Sequence, residues 1–309
     1  MAICAHFLSI FLKRAVLIAA HLLCVAAMTR HGCSLAGILS ARIAMLCDMH
    51  RFFTSVIAAL IVSIGGGVGC AAETITPMTE AYQTDFRRLE SGRWYISNGW
   101  SNGDHQNCTW SRRAIALEQG GGLRVRYMPA SEALPEALCG ELQTRMWFLY
   151  GTFEARLRGD LGSGRNAAFF AYTGPVHGQP HDEIDFEMLT RESGLMWLNR
   201  YVAGNDFGEG KESDFEPGAE EGYVDLAFVW EPDRLRWYIN GELRREETRG
   251  IPSHPMKIYF SHWGSDILTS WMGPFDPPDG PVEMKVSSFS YTPMGQRCVF
   301  PDSITCELP

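Results

Sequence analysis

The chain has 309 residues, enough for one large domain plus processing segments, and 46% of them are hydrophobic. Its net charge is −9, and since the first 72 residues hold five Lys/Arg against one acid, the remainder carries −13. An acidic domain with no basic cluster argues against nucleic acid as a partner and suits a neutral polysaccharide.

Taken in chain order, residues 1–48 contain apolar pieces, such as 15–27, broken by Lys13-Arg14, Arg30 and Arg42. No piece reaches the ~20 apolar residues of a membrane helix, so no stable membrane span is expected in the mature protein. A second signal starts at Met49: a basic head (Met49-His50-Arg51), an apolar stretch (52–64), and small residues up to Cys70-Ala71-Ala72-Glu73. This is the layout of a secretory signal peptide. We expect translation to start at Met49 or Met45 and cleavage to follow Ala72. Residues 1–48 are then an upstream extension, 49–72 the signal peptide, and 73–309 a secreted or periplasmic domain. Lipoprotein processing at Cys70 is disfavoured, because Gly67 stands where Leu is usual.

Residues 73–81 read as a loose polar leader. From Tyr82 on, the chain reads as short strands and turns. Residues 123–127 and 151–158 alternate, 167–172 is an apolar strand, and 223–230 leads into 234–239. Asn240-Gly241 follows, between alternating runs, which is the strongest short-range hairpin signal. Residues 256–263 and 282–291 complete the set. There is no long amphipathic helix and no internal repeat. Many short strands in about 230 residues predict an all-β domain of two packed antiparallel sheets.

The stretch with chemistry in it is His181-Asp182-Glu183-Ile184-Asp185-Phe186-Glu187-Met188-Leu189. On a strand, Glu183, Asp185 and Glu187 line one face, while Ile184, Phe186 and Met188 enter a core. A helix would turn Asp185 away from the two glutamates. The preceding Gly174-Pro175 and Gly178-Gln179-Pro180 are turn material, which suits a strand beginning near His181. Three carboxylates on one face repel one another, raise at least one pKa and couple their titrations. Glycoside hydrolysis needs that asymmetry, one carboxylate ionised and one carboxylic acid protonated across a sugar. A solvated strand face with chance acids is the alternative.

His-Asp-Glu-Ile-Asp-Phe-Glu resembles the signature of glycoside hydrolase family 16, which includes lichenases and plant xyloglucan transglycosylases. Other blocks resemble lichenases in the same order: Asn102-Gly103 with Asn107-Cys108-Thr109-Trp110, Cys139-Gly140-Glu141, Phe169 through Pro175, and Trp237-Tyr238-Ile239-Asn240-Gly241. The nearest likeness is to rhizobial endo-β-glycanases that cut succinoglycan, which share the look of Trp94-Tyr95 to Trp110 and the tail from Cys298-Val299-Phe300-Pro301 to Cys306. The resemblance covers roughly residues 82–309. It implies a concanavalin-like jelly roll with a concave carbohydrate-binding cleft. It also implies a retaining endo-β-glycanase that hydrolyses internal β-1,3/1,4-type linkages of a succinoglycan-like exopolysaccharide or a mixed-linkage β-glucan.

By the same resemblance Glu183 is the nucleophile and Glu187 the general acid/base, with Asp185 between them tuning both. Retaining enzymes hold the two working carboxyls about 5–5.5 Å apart. Residues four apart on a flat strand are about 13 Å apart at the backbone. Glu183 and Glu187 must therefore lean toward each other over Asp185. His181 stands where lichenases carry Trp and the transglycosylases carry His. Trp100, Asn102, Phe170, Tyr172, His181, Asn199, Tyr201 and Trp263 are candidate subsite residues. Phe169, Trp230 and Trp237 are assigned to the core, the commoner fate of an aromatic in a sandwich. Glu141 is expected to support the site by hydrogen bonding, and Gln143 replaces an Arg of lichenases.

Nine cysteines become four once the leader is removed, an even number that fits an oxidised, exported protein. Of the three pairings open to Cys108, Cys139, Cys298 and Cys306, nearness favours a clasp of Cys298 with Cys306. The resemblance implies Cys108 with Cys139. Family members often hold a structural calcium, but the expected Asp is replaced by Ser287 or Ser288, so no metal or other cofactor is expected. Asn107-Cys108-Thr109 fits a glycosylation sequon and is read as structural. We expect a monomer. A transglycosylase on the same scaffold, or a non-catalytic lectin-like module, are the competing functions; a lectin would have no need of three acids.

Overall fold

The computed structural model describes residues 75–218 and 222–308. The predicted upstream extension (1–48) and signal peptide (49–72) lie outside the described residues. The strands, in chain order, are β1 (Tyr82–Thr84), β2 (Trp94–Ile96), β3 (Thr109–Trp110), β4 (Ile115–Leu117), β5 (Leu123–Met128), β6 (Leu138–Thr144), β7 (Gly151–Gly159) and β8 (Arg165–Thr173). They continue as β9 (Asp182–Leu189), β10 (Leu195–Tyr201), β11 (Lys211–Asp214), β12 (Val224–Trp230), β13 (Leu235–Ile239), β14 (Glu242–Glu247), β15 (Lys257–Gly264) and β16 (Val282–Pro293). A four-residue helix, Thr269–Met272, is the longest among the described residues that is α-helical. The domain is an all-β jelly-roll sandwich, as predicted.

A front layer runs β11-β10-β9-β8-β15-β6 and a back layer β5-β16-β7-β12-β13-β14. They are joined by β6. Its Leu138 and Cys139 pair with Met128 and Tyr127 of β5, whereas Gly140 through Gln143 pair with β15. A strand that changes layers this way turns a corner of the sandwich.

Alternation along each strand decides what enters the core. Phe169 of β8 and Phe186 of β9 stack at 6.1 Å from the front layer. Phe169 meets Phe228 of β12 at 5.5 Å and Phe289 of β16 at 6.1 Å across the gap. Phe169, Trp230 and Trp237 are fully buried, and Trp237 Nε1 donates to the backbone oxygen of Asp185 at 3.1 Å. The Asn240-Gly241 hairpin forms with φ of +50° and +79°, the two positive values a two-residue type I′ turn requires.

Both expected disulfides are present, Cys108–Cys139 and Cys298–Cys306. The first ties the loop before β3 to β6. The second closes the C-terminal tail, which docks on the back layer through Glu154 of β7: Ser303 Oγ and Ile304 N donate to its carboxylate at 2.6 and 2.8 Å. One expectation needs correcting. The segment read as a loose leader over 73–81 is pinned at Met78, whose N–H donates to Trp147 O and whose carbonyl accepts from Tyr291 Oη. The Met78 side chain packs on the main core, a long-range contact that a short polar stretch does not announce.

Removing the Cys108–Cys139 bond with serines at both positions should cost about 3–4 kcal/mol, the chain-entropy expectation for a loop of that length. Urea unfolding of the double variant against the parent measures it. A double variant whose urea midpoint matches that of the parent would contradict the expected stabilisation.

Candidate active site

Strand β9 lies between β8 and β10, and the register fixes what surrounds its acids. Glu183 is opposite Tyr201 on β10 and Tyr172 on β8. Asp185 is opposite Asn199 and Phe170, and Glu187 is opposite Trp197 and Ala168. Residues paired across strands share a face, so the three acids stand on one face between two rows of largely aromatic side chains, while Ile184, Phe186 and Met188 are buried beneath.

The first residue of β9 anchors that face. Asp182 is fully buried, and its carboxylate accepts from the backbone N–H groups of Ala203, Ser253 and His254 and from the His254 ring. Burial pushes its pKa up, but these bonds outweigh burial and hold it below the usual carboxylate range.

The acids themselves are separated by environment. Glu187 is pushed up to about 8, first by burial and then by the charge of Glu183; a 2.8 Å hydrogen bond from Asn166 Nδ2 opposes both. Asp185, 3% exposed, is raised well above the normal aspartate range by burial and by the charges of Glu183 and Glu187. Its carboxyl is hydrogen-bonded to Glu183, which raises it further. Glu183 Oε2 also lies 2.7 Å from His181 Nε2. That hydrogen bond raises the histidine's pKa against the opposing effect of burial. The His181 ring stacks on Tyr201 at 4.8 Å and meets Tyr172 edge-on at 5.3 Å. The set comprises a carboxylate held from two sides and, four residues further along the same strand face, a protonated carboxyl. It can deliver a nucleophile and a proton to opposite ends of one bond.

Residues 102–278 match the family described as glycosyl hydrolases family 16. The chain is 42% identical over 234 residues to the endo-1,3-1,4-beta-glycanase ExoK of Rhizobium meliloti, covering 74% of this chain and 85% of that protein. It is 33% identical to a beta-glucanase of Bacillus subtilis, over 62% and 78% of the two chains. The solved Bacillus licheniformis beta-glucanase superposes with a TM-score of 0.65 at 29% identity, over 70% of this chain and 99% of that one. The chain belongs to glycosyl hydrolases family 16. It is a glycoside hydrolase.

Family membership gives the neighbouring residues a context. Phe170 stacks on Tyr259 of β15 at 4.9 Å, and Tyr172 meets the same ring edge-on. Asn199 is buried, and its Oδ1 has no partner among the described residues, which leaves an acceptor beside Asp185. Trp263 pairs with Asn166 and so stands at the Glu187 end. Trp100, 42% exposed, and Asn102 are on the disulfide-tied loop, where both contact Trp110. The loop reaches Trp263 through His105, at 5.6 Å. Asn107 of the sequon donates to Asp266, which fits its structural reading. Glu141 is buried under a hydrogen bond from Ser97 Oγ at 2.5 Å, and Ser97 in turn accepts from Gln143. Burial lifts Glu141 to about 7.

Tyr259, Asn166 and Trp197 were not foreseen. Tyr259 has the same parity as Trp263 within 256–263, a signal that could have found it. Asn166 and Trp197 needed the strand register. As for calcium, Ser287 Oγ donates to Arg156 O, and no group of three His, Cys, Asp or Glu able to hold a metal occurs among the described residues. The residues present do not supply an anionic calcium site.

Proposed function

We propose that the chain is an exported, retaining endo-β-glycanase acting on internal β-1,3/1,4-type linkages, with a succinoglycan-like exopolysaccharide or a mixed-linkage β-glucan as substrate. The observation that carries the reading is the acid face of β9, with Glu187 protonated at neutral pH beside a Glu183 carboxylate gripped by His181. The Rhizobium relative's activity, an endo-1,3-1,4-beta-glycanase, supports the linkage class, and the two disulfides suit export by the 49–72 signal.

The Glu183 carboxylate attacks the anomeric carbon, the glycosidic C–O bond breaks, and Glu187 gives its proton to the departing oxygen. Glu187, now a carboxylate, takes a proton from water, whose oxygen displaces Glu183 from the sugar and restores both residues. Asp185, its carboxyl raised by burial and by its two acidic neighbours, hydrogen-bonds Glu183 and holds it in place. Phe170, Tyr172, Tyr201 and Trp263 give sugar rings flat surfaces, and Asn199 accepts a hydroxyl.

The test is reducing-end release from a panel of purified polysaccharides, with the anomer of the first product followed by NMR. Initial β-anomer from a β-1,3/1,4 polymer is expected; no release from any such polymer would sink the reading. Adding acceptor oligosaccharides separates hydrolysis from transglycosylation.

A pH dependence follows. Because Glu187 must be protonated to aid departure, kcat/KM should fall as pH rises through about 8. With an activated aryl leaving group that needs no proton, that limb should flatten. Stability follows the same sign. The native state keeps a proton that the unfolded chain loses near pH 4.5, so this group's contribution falls between pH 4.5 and about 8. A kcat/KM profile flat through pH 8–9 on the polymer would contradict the assignment of Glu187.

A further inference from the structure

The Glu183 end of the acid face carries two cations that the mechanism does not use. Lys257, the first residue of β15, pairs with Tyr172, which pairs with Glu183. Lys257 therefore shares the acid face, two strands from Glu183, or about 10 Å at the backbone. Its Nζ lies 4.8 Å over the Trp147 ring. Arg145, just beyond β6, lays its guanidinium 5.2 Å over Tyr95 and donates from Nε to the backbone oxygens of Ser91 and Trp94. Among the described residues neither cation forms an ion pair, although most other arginines on the domain have a carboxylate partner.

The two are close enough to feel each other. Burial first, and then the charge of Arg145, lower the Lys257 pKa. His177 packs edge-on against Trp147 at 5.0 Å and adds no third charge, since burial and Lys257 push it down to about 4. Two like charges held together on an aromatic floor without a counter-ion are unfavourable on their own. The arrangement is relieved by an anion from outside, and it lies on the face that carries Glu183.

We infer that this end of the acid face is a subsite for a carboxylate carried by the polysaccharide. The inference rests on the glycanase reading above and narrows its substrate to acidic polymers. Tyr95 and Trp147 supply flat surface for the sugar, and Lys257 with Arg145 supplies charge-assisted hydrogen bonds to the carboxylate. The need for such a pair is physical: a domain of net charge −13 as a whole repels a polyanion, and local cations offset that repulsion.

The experiment uses the Glu183→Gln variant, so that bound polymer is not consumed. Its retardation is measured in gels containing neutral mixed-linkage β-glucan or the same polymer oxidised at C6 to carboxylates. About tenfold tighter binding to the carboxylated polymer is expected at low salt, the size of one or two charge-assisted contacts, and high salt should erase the preference. The added change Lys257→Met with Arg145→Met should remove it; Lys257→Met alone serves if the double change disturbs folding, as checked by circular dichroism. Equal retardation by the two polymers, or a preference that survives loss of the cations, overturns the inference. Cleavage of any member of the polysaccharide panel, neutral or acidic, by the parent chain is scored separately. Its absence would count against the glycanase reading, while the binding comparison would still decide this one.

Discussion

Replacing Glu183 with Gln is expected to lower kcat on a polymeric substrate by on the order of 10⁴-fold, with the fold intact. The amide keeps the shape but cannot attack an anomeric carbon, and it loses the charge that helps lift both neighbours. With that charge removed, Asp185 and Glu187 should titrate closer to ordinary carboxylates. Stability should hold or rise by about 1 kcal/mol, as usual when a functional cluster of like charges is relieved. Initial rates together with urea midpoints check both halves. Near-normal turnover would overturn the role of Glu183. Lost turnover with a collapsed midpoint would point instead to a folding defect, through its bond to His181.

Phe169→Ala should cost about 3–5 kcal/mol, the range for removing a buried phenylalanine from a core that relaxes only partly. Phe169 is the ring on which both layers converge. It stacks on Phe186 and Phe260 within the front layer and reaches Phe228 and Phe289 of the back layer. Its neighbours in β8 face the other way and include Phe170, opposite Asp185. Loss of packing there should thus loosen the acid face as well, and kcat should fall along with the urea midpoint. A loss under about 1 kcal/mol would show that the core is not centred on this ring. Phe169→Leu, which keeps most of the volume, should recover more than half of the loss.

Much of the site could be read from the sequence, because period-two alternation says which side chains share a face. That is how Glu183, Asp185 and Glu187 were placed together above Ile184, Phe186 and Met188, and how the Asn240-Gly241 hairpin was located. Alternation does not say which strand lies next door. The partners that tune the acids come from elsewhere: Asn166 on β8, and for Asp182 the backbone at Ser253 and His254, some seventy residues on. Lys257 is hidden in the sequence for the same reason. Within 256–263 it has the parity of Trp263, yet only the pairing with Tyr172 brings it into line with Glu183. The layer change within β6 was also hidden, since its seven residues are almost all buried and carry no period to break.

That layer change limits how the enzyme can be re-engineered. Because one continuous segment, β6, is stitched into both halves of the sandwich, no seam exists along which the catalytic half could be cut out and transplanted onto another scaffold. Any chimera that borrows the sugar-facing half must import its backing as well.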